Sequence, residues 1–377
     1  MSYNKRESGI ELLKIVAMFI IVISHVTQSI GRDMSSYGVA DDYLINLTHS
    51  TTDISQLLLS FFRYFGGLGN SLFFVCSAWF LADSKKINTQ KIVTLIVDIW
   101  VISIIIFLAF FISGIPMSKE HMIKSFLPTT FSNNWYMTTY ILFYAIHVPL
   151  NLVIEKMSQK SMLKAVIILS VLYCGFGCIK SELYCGNYLT CFITIYFIVC
   201  YMKKYMPRFC DSKKSNYYLL GICTGFILIL FIFTNLLGLK ISAFSNRLLH
   251  WNRNNNILLI FIAISLLNLA RTKKAVKPII NYISSLSLLI YIIHENILVS
   301  AYIRTRIWEE LYLHFGHSCV VLQDIVFSVV LFIATAIIGC VYKNTIMRLT
   351  GIFSQKFYSC MNEKFSSIFE KVCKIGS

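Results

Sequence analysis

Apolar runs of about twenty residues recur from one end of this 377-residue chain to the other, and that repetition leaves few folds open. A bilayer core about 30 Å thick is crossed by roughly 20 apolar residues as a helix, and its backbone polar groups must all be satisfied within the spanning structure. Hydropathy places about ten such runs, near 10–30, 56–82, 92–114, 134–154, 164–180, 186–202, 217–237, 256–270, 279–300 and 320–342. A mean hydropathy of +0.67 with only 14% charged residues is far from soluble composition, where about 25% of residues are charged. The expected fold is all-α: a polytopic membrane protein of about ten transmembrane helices, with residues 1–342 as the membrane domain. Residues 343–377 read as a basic amphipathic tail. There Ile346, Leu349, Phe353, Phe357, Phe365 and Val372 recur at three-to-four spacing between Arg348, Lys356, Lys364, Lys371 and Lys374, the pattern of a helix lying on a membrane surface. The first run has no A-x-A-like cleavage site and is expected to be retained as a helix.

A formal net charge of +16 raises the question of nucleic acid, but its distribution points to topology instead. With the N-terminus inside, most of the lysines and arginines fall in the inner connections and the tail, as the positive-inside rule requires. Both termini are then expected on the cytoplasmic side, with the lipid bilayer as partner and no nucleic acid. The twelve cysteines form no CxxC pair and no zinc-like spacing with histidine, so no metal is expected. Cys174, Cys178, Cys185 and Cys191 cluster where a disulfide is conceivable. Since lipid-facing and partner-facing surfaces look alike in such a composition, the pattern sets no oligomeric state.

Ionisable groups inside a bilayer are costly and are functional candidates by default. His25 is one, deep in the first run. Residues eleven apart on a helix are offset by only about 20°, so Glu11, Lys14, Met18, Val22 and His25 share a face. His25 and His294 each lie about fifteen residues in from the inner side, which is roughly 22 Å of helix. His294 is followed by Glu295 and Asn296, so two distant runs bring polar groups to one depth. The second run adds Arg63, Asn70 and Ser77 among glycines that permit close helix approach. Trp135 and Tyr136 open the fourth run as an aromatic pair at the outer surface. The outer stretches near 31–55, 115–134, 238–255 and 301–319 are rich in aromatic, amide and arginine side chains, a mixture suited either to sugar recognition or to an interfacial aromatic belt.

Four segments carry a family resemblance. They are Glu11-Leu-Leu-Lys14-Ile-Val-Ala-Met-Phe followed by His25, Gly69-Asn70-Ser-Leu-Phe73-Phe74-Val-Cys-Ser77-Ala-Trp-Phe-Leu81, Asn134-Trp135-Tyr136-Met-Thr-Thr-Tyr140-Ile, and Ser287-Leu-Leu-Ile-Tyr291-Ile-Ile-His294-Glu295-Asn296. In order and spacing the chain resembles the acyltransferase-3 family of integral membrane O-acyltransferases, with a flavour of Gram-positive capsule or exopolysaccharide members. The resemblance implies a ten-helix enzyme of the bacterial plasma membrane. It would move an acetyl group from cytoplasmic acetyl-CoA, a co-substrate, to a hydroxyl of an extracytoplasmic surface glycan or lipid-linked oligosaccharide. His25 matches the family's first-helix histidine, its base or acyl relay. Lys14 stands where arginine is usual, and so loses the bidentate fork. Lys91 replaces a basic pair at the opening of the third helix, and Ala78 a common glycine.

An alcohol needs a base as it attacks, and a histidine suits that work near neutral pH. The expected catalytic set is therefore His25, His294 and Glu295. Coenzyme A is long and polyanionic, which makes Glu11, Lys14, Lys85, Lys86 and Lys91 the expected donor-binding set. Arg63, Asn70, Trp135, Tyr136 and Asn296 are the expected acceptor-binding set. A membrane glycan flippase, polymerase or transporter has similar buried charge and aromatic loops, but the paired repeats such proteins often show are not visible in this chain. A non-catalytic membrane module of the same fold is the remaining alternative.

Overall fold

A computed structural model describes residues 8–30, 46–131, 134–176 and 188–375, with side chains described as far as Ser359. The principal helices are α1 (Ser8–Ser29), α2 (Ile54–Phe62), α3 (Tyr64–Leu81), α4 (Thr89–Ile112), α5 (Lys119–Phe126), α6 (Trp135–Lys156), α7 (Gln159–Leu169, continued by a π turn to Phe176), α8 (Tyr188–Tyr205), α9 (Lys213–Lys240), α10 (Ile257–Arg271), α11 (Pro278–Ser284), α12 (Ser287–His294), α13 (Thr305–Phe315, after a π turn over Val299–Arg304) and α14 (Val320–Ile375). No strand occurs among the described residues. The architecture is all-α and polytopic. Among the described residues seven helical stretches are long and apolar enough to cross a bilayer, and a pair bent by 75°, Pro278–His294 with Val299–Phe315, makes an eighth. Each of the ten expected runs is mainly helical where it is described, with breaks inside the second and the ninth.

The central post is α1, around which α3, α10, α11, α12 and α14 pack. Its seat against α3 depends on glycine. A Cβ at Gly69 would stand 2.5 Å from the Ile21 side chain and 2.8 Å from the Ala17 carbonyl oxygen, so only a bare backbone lets the two helices meet this closely. The end of the bundle where α1 begins, here the near end, gathers Leu81, Asn151 and Lys203. There Asn151 Nδ2 donates to the Leu81 and Ser84 carbonyls, and Lys203 to the Trp79 carbonyl. At the far end, backbone bonds join Thr48 to Leu248 and Ser50 to Ser245, so the described part of the first loop is fastened to the loop after α9.

The structure departs from the sequence expectations in four places. The second run is not one helix: it breaks at Arg63, whose carbonyl accepts from Ser24 Oγ while its Nη1 donates to the Ser24 carbonyl at 3.0 Å. The ninth run breaks after Ser284 and again after His294, and the stretch expected as an outer loop over 301–319 is largely helical. Residues 119–126 form a helix that turns back along α4, with the Ser125 carbonyl accepting from Ser103 Oγ and the Phe126 carbonyl from Trp100 Nε1. Finally, the tail continues the last run without a break, α14 running from Val320 to Ile375. Inside the bundle Asp98 fastens it to α4, accepting from Tyr342 OH at 2.8 Å and Thr350 Oγ1 at 2.7 Å. A carboxylate needs such partners when buried. Of the clustered cysteines, Cys174 and Cys191 are free; Cys178 and Cys185 lie outside the described residues.

Candidate active site

Where α12 ends, the chain places three ionisable side chains against α1. His294 closes the helix, Glu295 is its C-cap residue and Asn296 turns the chain onward. Asn296 Oδ1 accepts from the Leu298 backbone N–H, and its Nδ2 donates to Ser103 Oγ, so this asparagine shapes the break itself. His25, on α1, meets His294 with Nδ1 and Nε2 3.0 Å apart, and its Nδ1 also contacts the Glu295 carboxylate. The two rings are 5.3 Å apart between centroids. All of this is interior: His25 is 8% exposed and His294 not at all.

The hydrogen-bond pattern fixes the tautomers. His294 Nδ1 lies 2.7 Å from the Ile290 carbonyl oxygen, which can only accept, so that nitrogen carries the proton and Nε2 carries the lone pair. Facing an acceptor nitrogen and a carboxylate, His25 Nδ1 must be the protonated one. The lone pair of a neutral His25 therefore resides on Nε2. This is the logic of an acid–base dyad, in which a carboxylate orients the imidazole and leaves the other nitrogen for the substrate.

Arg304 completes the cluster, and the sequence reading left it in an outer loop. Its side chain is wholly buried. Nε donates to Ser29 Oγ at 2.9 Å, and Nη1 reaches the His294 carbonyl and the Glu295 carboxylate, each at 3.4 Å. A guanidinium pairs the buried carboxylate and ties it to the helix carrying His25, which is how a buried charge is made tolerable. The available signal was an arginine ten positions after His294 in a stretch with apolar neighbours on both sides. Its concealment lay in the 75° bend, which returns that stretch to the interior. His25 Nδ1, His294 Nε2 and a Glu295 oxygen lie within 4.8 Å of one another, close enough for one metal ion. Direct nitrogen-to-nitrogen and nitrogen-to-oxygen contacts, with a cation already on the carboxylate, suit a proton relay better.

Nearer the α1 start, a tight crevice lies beneath the histidines, lined by Met18, Asn70, Phe73, Tyr136 and Tyr291 among others. Tyr136 is buried against Phe73 and Tyr291, so of the aromatic pair expected at the outer surface this ring lies inside the bundle, while Trp135 is half-buried. Trp135 stacks on Tyr188 at 3.9 Å. Along α6 the tyrosines at 136, 140 and 144 follow one face, and Lys91 Nζ sits 4.9 Å from the Tyr144 ring. This aromatic column links the near end to the crevice. Arg63 is spent on the α1 backbone at Ser24, one residue before His25.

The expected donor residues separate into two groups. Glu11 is buried and accepts from Lys14 Nζ at 3.1 Å and from Ser284 Oγ at 2.5 Å, so that pair is internal. Lys85, Lys86 and Lys91 are exposed at the near end. Lys85 lines a cavity of about 470 Å³ with Lys203, Lys204, Asn151 and Cys200, and neither Lys203 nor Lys204 was singled out from the sequence. Lys203 pairs with Asp83, while Lys204 donates to the Ile154 carbonyl at the end of α6.

A family model described as an acyltransferase domain matches residues 7–343. No curated protein and no solved structure matches the chain.

Proposed function

The chain belongs to the acyltransferase-3 family, and from that premise we propose that it is a membrane O-acetyltransferase, moving acetyl from cytoplasmic acetyl-CoA to a hydroxyl of a surface glycan or lipid-linked oligosaccharide. The observation that carries this reading is the buried His25–Glu295 dyad, backed by His294 and Arg304 and joined to a crevice. In this reading the near end, where α1 starts, is cytoplasmic, and both termini of a bacterial plasma-membrane protein face that side. The basic groups there favour this orientation.

The proposed step is direct acyl transfer. His25 Nε2 removes the acceptor's hydroxyl proton as that oxygen attacks the thioester carbonyl. The carbon–sulfur bond then breaks, and the departing thiolate recovers the proton from the imidazolium. Through this cycle Glu295 holds the ring and balances its positive charge, and Arg304 holds Glu295. A pantetheine arm would run past Lys91 and the tyrosine column, bringing the thioester to the crevice below the histidines. Lys85, Lys86 and Lys91, exposed at that end, would face the nucleotide phosphates.

Ester-linked acetate on the surface glycan of wild-type, deletion and His25→Ala strains tests this function. Loss of acetate in both mutants, with glycan amount and length unchanged, is the expected result. Unchanged acetate with shortened glycan would instead indicate a polymerase or flippase, and no change in either a non-catalytic module.

A further inference from the structure

A groove of about 270 Å³ lies between α4, the segment that follows α5 and the later part of α14, where Val97, Trp100, Leu127, Pro128, Phe353 and Phe357 help to line it. No charged side chain is among those lining it, and Trp100, Leu127, Phe353 and Phe357 are all exposed. Trp100 stands midway along α4 (Thr89–Ile112), so the irregular backbone of residues 127–129 lies against the middle of a spanning helix. Such backbone is tolerated at that place only where its polar groups are satisfied.

Here the carbonyls are capped one by one. Ser125 O accepts from Ser103 Oγ at 2.8 Å and Phe126 O from Trp100 Nε1 at 3.0 Å. Leu127 O accepts from the Phe131 N–H at 3.1 Å and Thr129 O from Thr138 Oγ1 at 3.2 Å, while Pro128 has no N–H to satisfy. The opposite wall is fixed as well. Asp98 accepts from Thr350 Oγ1 at 2.7 Å, and Phe353 and Phe357 follow within two turns of α14, so a buried bond holds both rings over α4. A trough with capped carbonyls and no charge offers little to water or to an ion, and it suits an apolar chain. Ordinary bilayer lipid wets an exposed helix face without a shaped trough, as on α9, where Ile229 and Phe233 simply face outward. Walls held in advance lower the ordering cost of binding, which is what selection of one chain requires. The groove also adjoins the reacting centre: one turn along α4 from Trp100, Ser103 Oγ accepts from Asn296 Nδ2 at 3.4 Å, next in sequence to Glu295.

We propose that this groove seats the hydrocarbon chain of a lipid-linked acceptor, which enters from the bilayer and is held beside the helix that touches Asn296. The assignment rests on the acyltransferase reading for the word acceptor, and on the groove itself for the chain. It narrows the acceptor to a saccharide still attached to its carrier lipid, and it gives the buried Asp98 tether a purpose, that of holding one wall of the groove.

The test uses full-length protein in nanodiscs and a polyprenyl phosphate carrying a diazirine in its chain, with labelled peptides identified by mass spectrometry. The proteins are wild type, Val97→Phe, which fills the groove, Phe357→Ala, which removes part of a wall, and Ile229→Phe on the exposed face of α9. Wild type should be labelled saturably on the peptides that hold Trp100 and Leu127. Excess unlabelled polyprenyl phosphate should abolish that labelling, and the same excess of phosphatidylglycerol should leave it. Val97→Phe and Phe357→Ala should each weaken half-saturation about tenfold, a change of about 1.4 kcal/mol, while Ile229→Phe matches wild type. Phe357→Ala takes away an exposed ring and carries the test if Val97→Phe does not fold. Labelling spread evenly over the lipid-facing helices, equal competition by phosphatidylglycerol, or unchanged half-saturation in a folded groove variant would each overturn the site. Acetyl-CoA turnover with a polyprenyl-linked saccharide, measured on the same wild-type sample, separates the two claims. Turnover without saturable labelling strikes only the groove, whereas labelling without turnover strikes the acyltransferase reading and the acceptor role with it.

Discussion

At the scale of single residues, the proposed transfer rests on which nitrogen of His25 is free. The Ile290 carbonyl fixes His294, His294 and Glu295 fix His25 Nδ1, and Nε2 is what remains. Glu295→Gln keeps the shape but loses the charge, and should lower acetyl transfer by on the order of 10²–10⁴-fold with expression intact, the range found for general-base and orienting groups. Transfer rates on purified protein check this. Arg304 has a different signature. Replacing a wholly buried cation by methionine leaves a buried carboxylate without its partner, at a cost of about 3–5 kcal/mol. Arg304→Met should therefore lower the unfolding temperature in detergent as well as activity, whereas His25→Ala should lower activity alone. The sequence made His25, His294 and Glu295 legible because titratable groups stand out against apolar runs. It hid Arg304, since an arginine at the edge of a hydrophobic run reads as the start of a loop.

At the scale of elements, the account depends on breaks and close approaches more than on helix lengths. The α12 break sets Glu295 beside His25, and Gly69 lets α1 and α3 meet at the depth of the crevice. Gly69→Val puts carbon where Ile21 and the Ala17 carbonyl already stand. Overpacking of this kind costs about 1–3 kcal/mol, so the variant should melt earlier in a thermal-shift assay and lose transfer activity. The Asp98 tether gives a separate prediction. Removing both hydroxyls, by Tyr342→Phe with Thr350→Val, strands a buried carboxylate, a loss of about 1–3 kcal/mol. Proteolysis near the near-end half of α14 should then quicken, which limited digestion followed by mass spectrometry will show. Periodicity located the helices but not these devices. A hydropathy window averages across Arg63 and His294, and nothing in the local pattern over 342–343 could show that α14 continues, since continuity there is held by tertiary bonds to α4.

At the scale of the whole molecule, composition alone fixed the class: an apolar chain with few charges had to be a helical membrane protein, and it is one. The order of the site along the bundle was less accessible. From the near end inward, the basic groups come first, then the tyrosine column, the crevice and the histidine relay, with the apolar groove on the exposed side of α4. Trp135 and Tyr136 looked like an outer belt because they open a run, but Tyr136 packs inside the bundle and Trp135 is half-buried. The central claim is that His25 moves the proton that lets a hydroxyl take the acyl group from a thioester inside this bundle. Its most direct test is radiolabelled acetyl-CoA turnover by purified protein in liposomes bearing the glycan acceptor, comparing wild type with His25→Ala. The account expects label on the acceptor with wild type and a fall of roughly 10²–10⁴-fold with His25→Ala, the variant remaining folded. Equal labelling by the two proteins would contradict it.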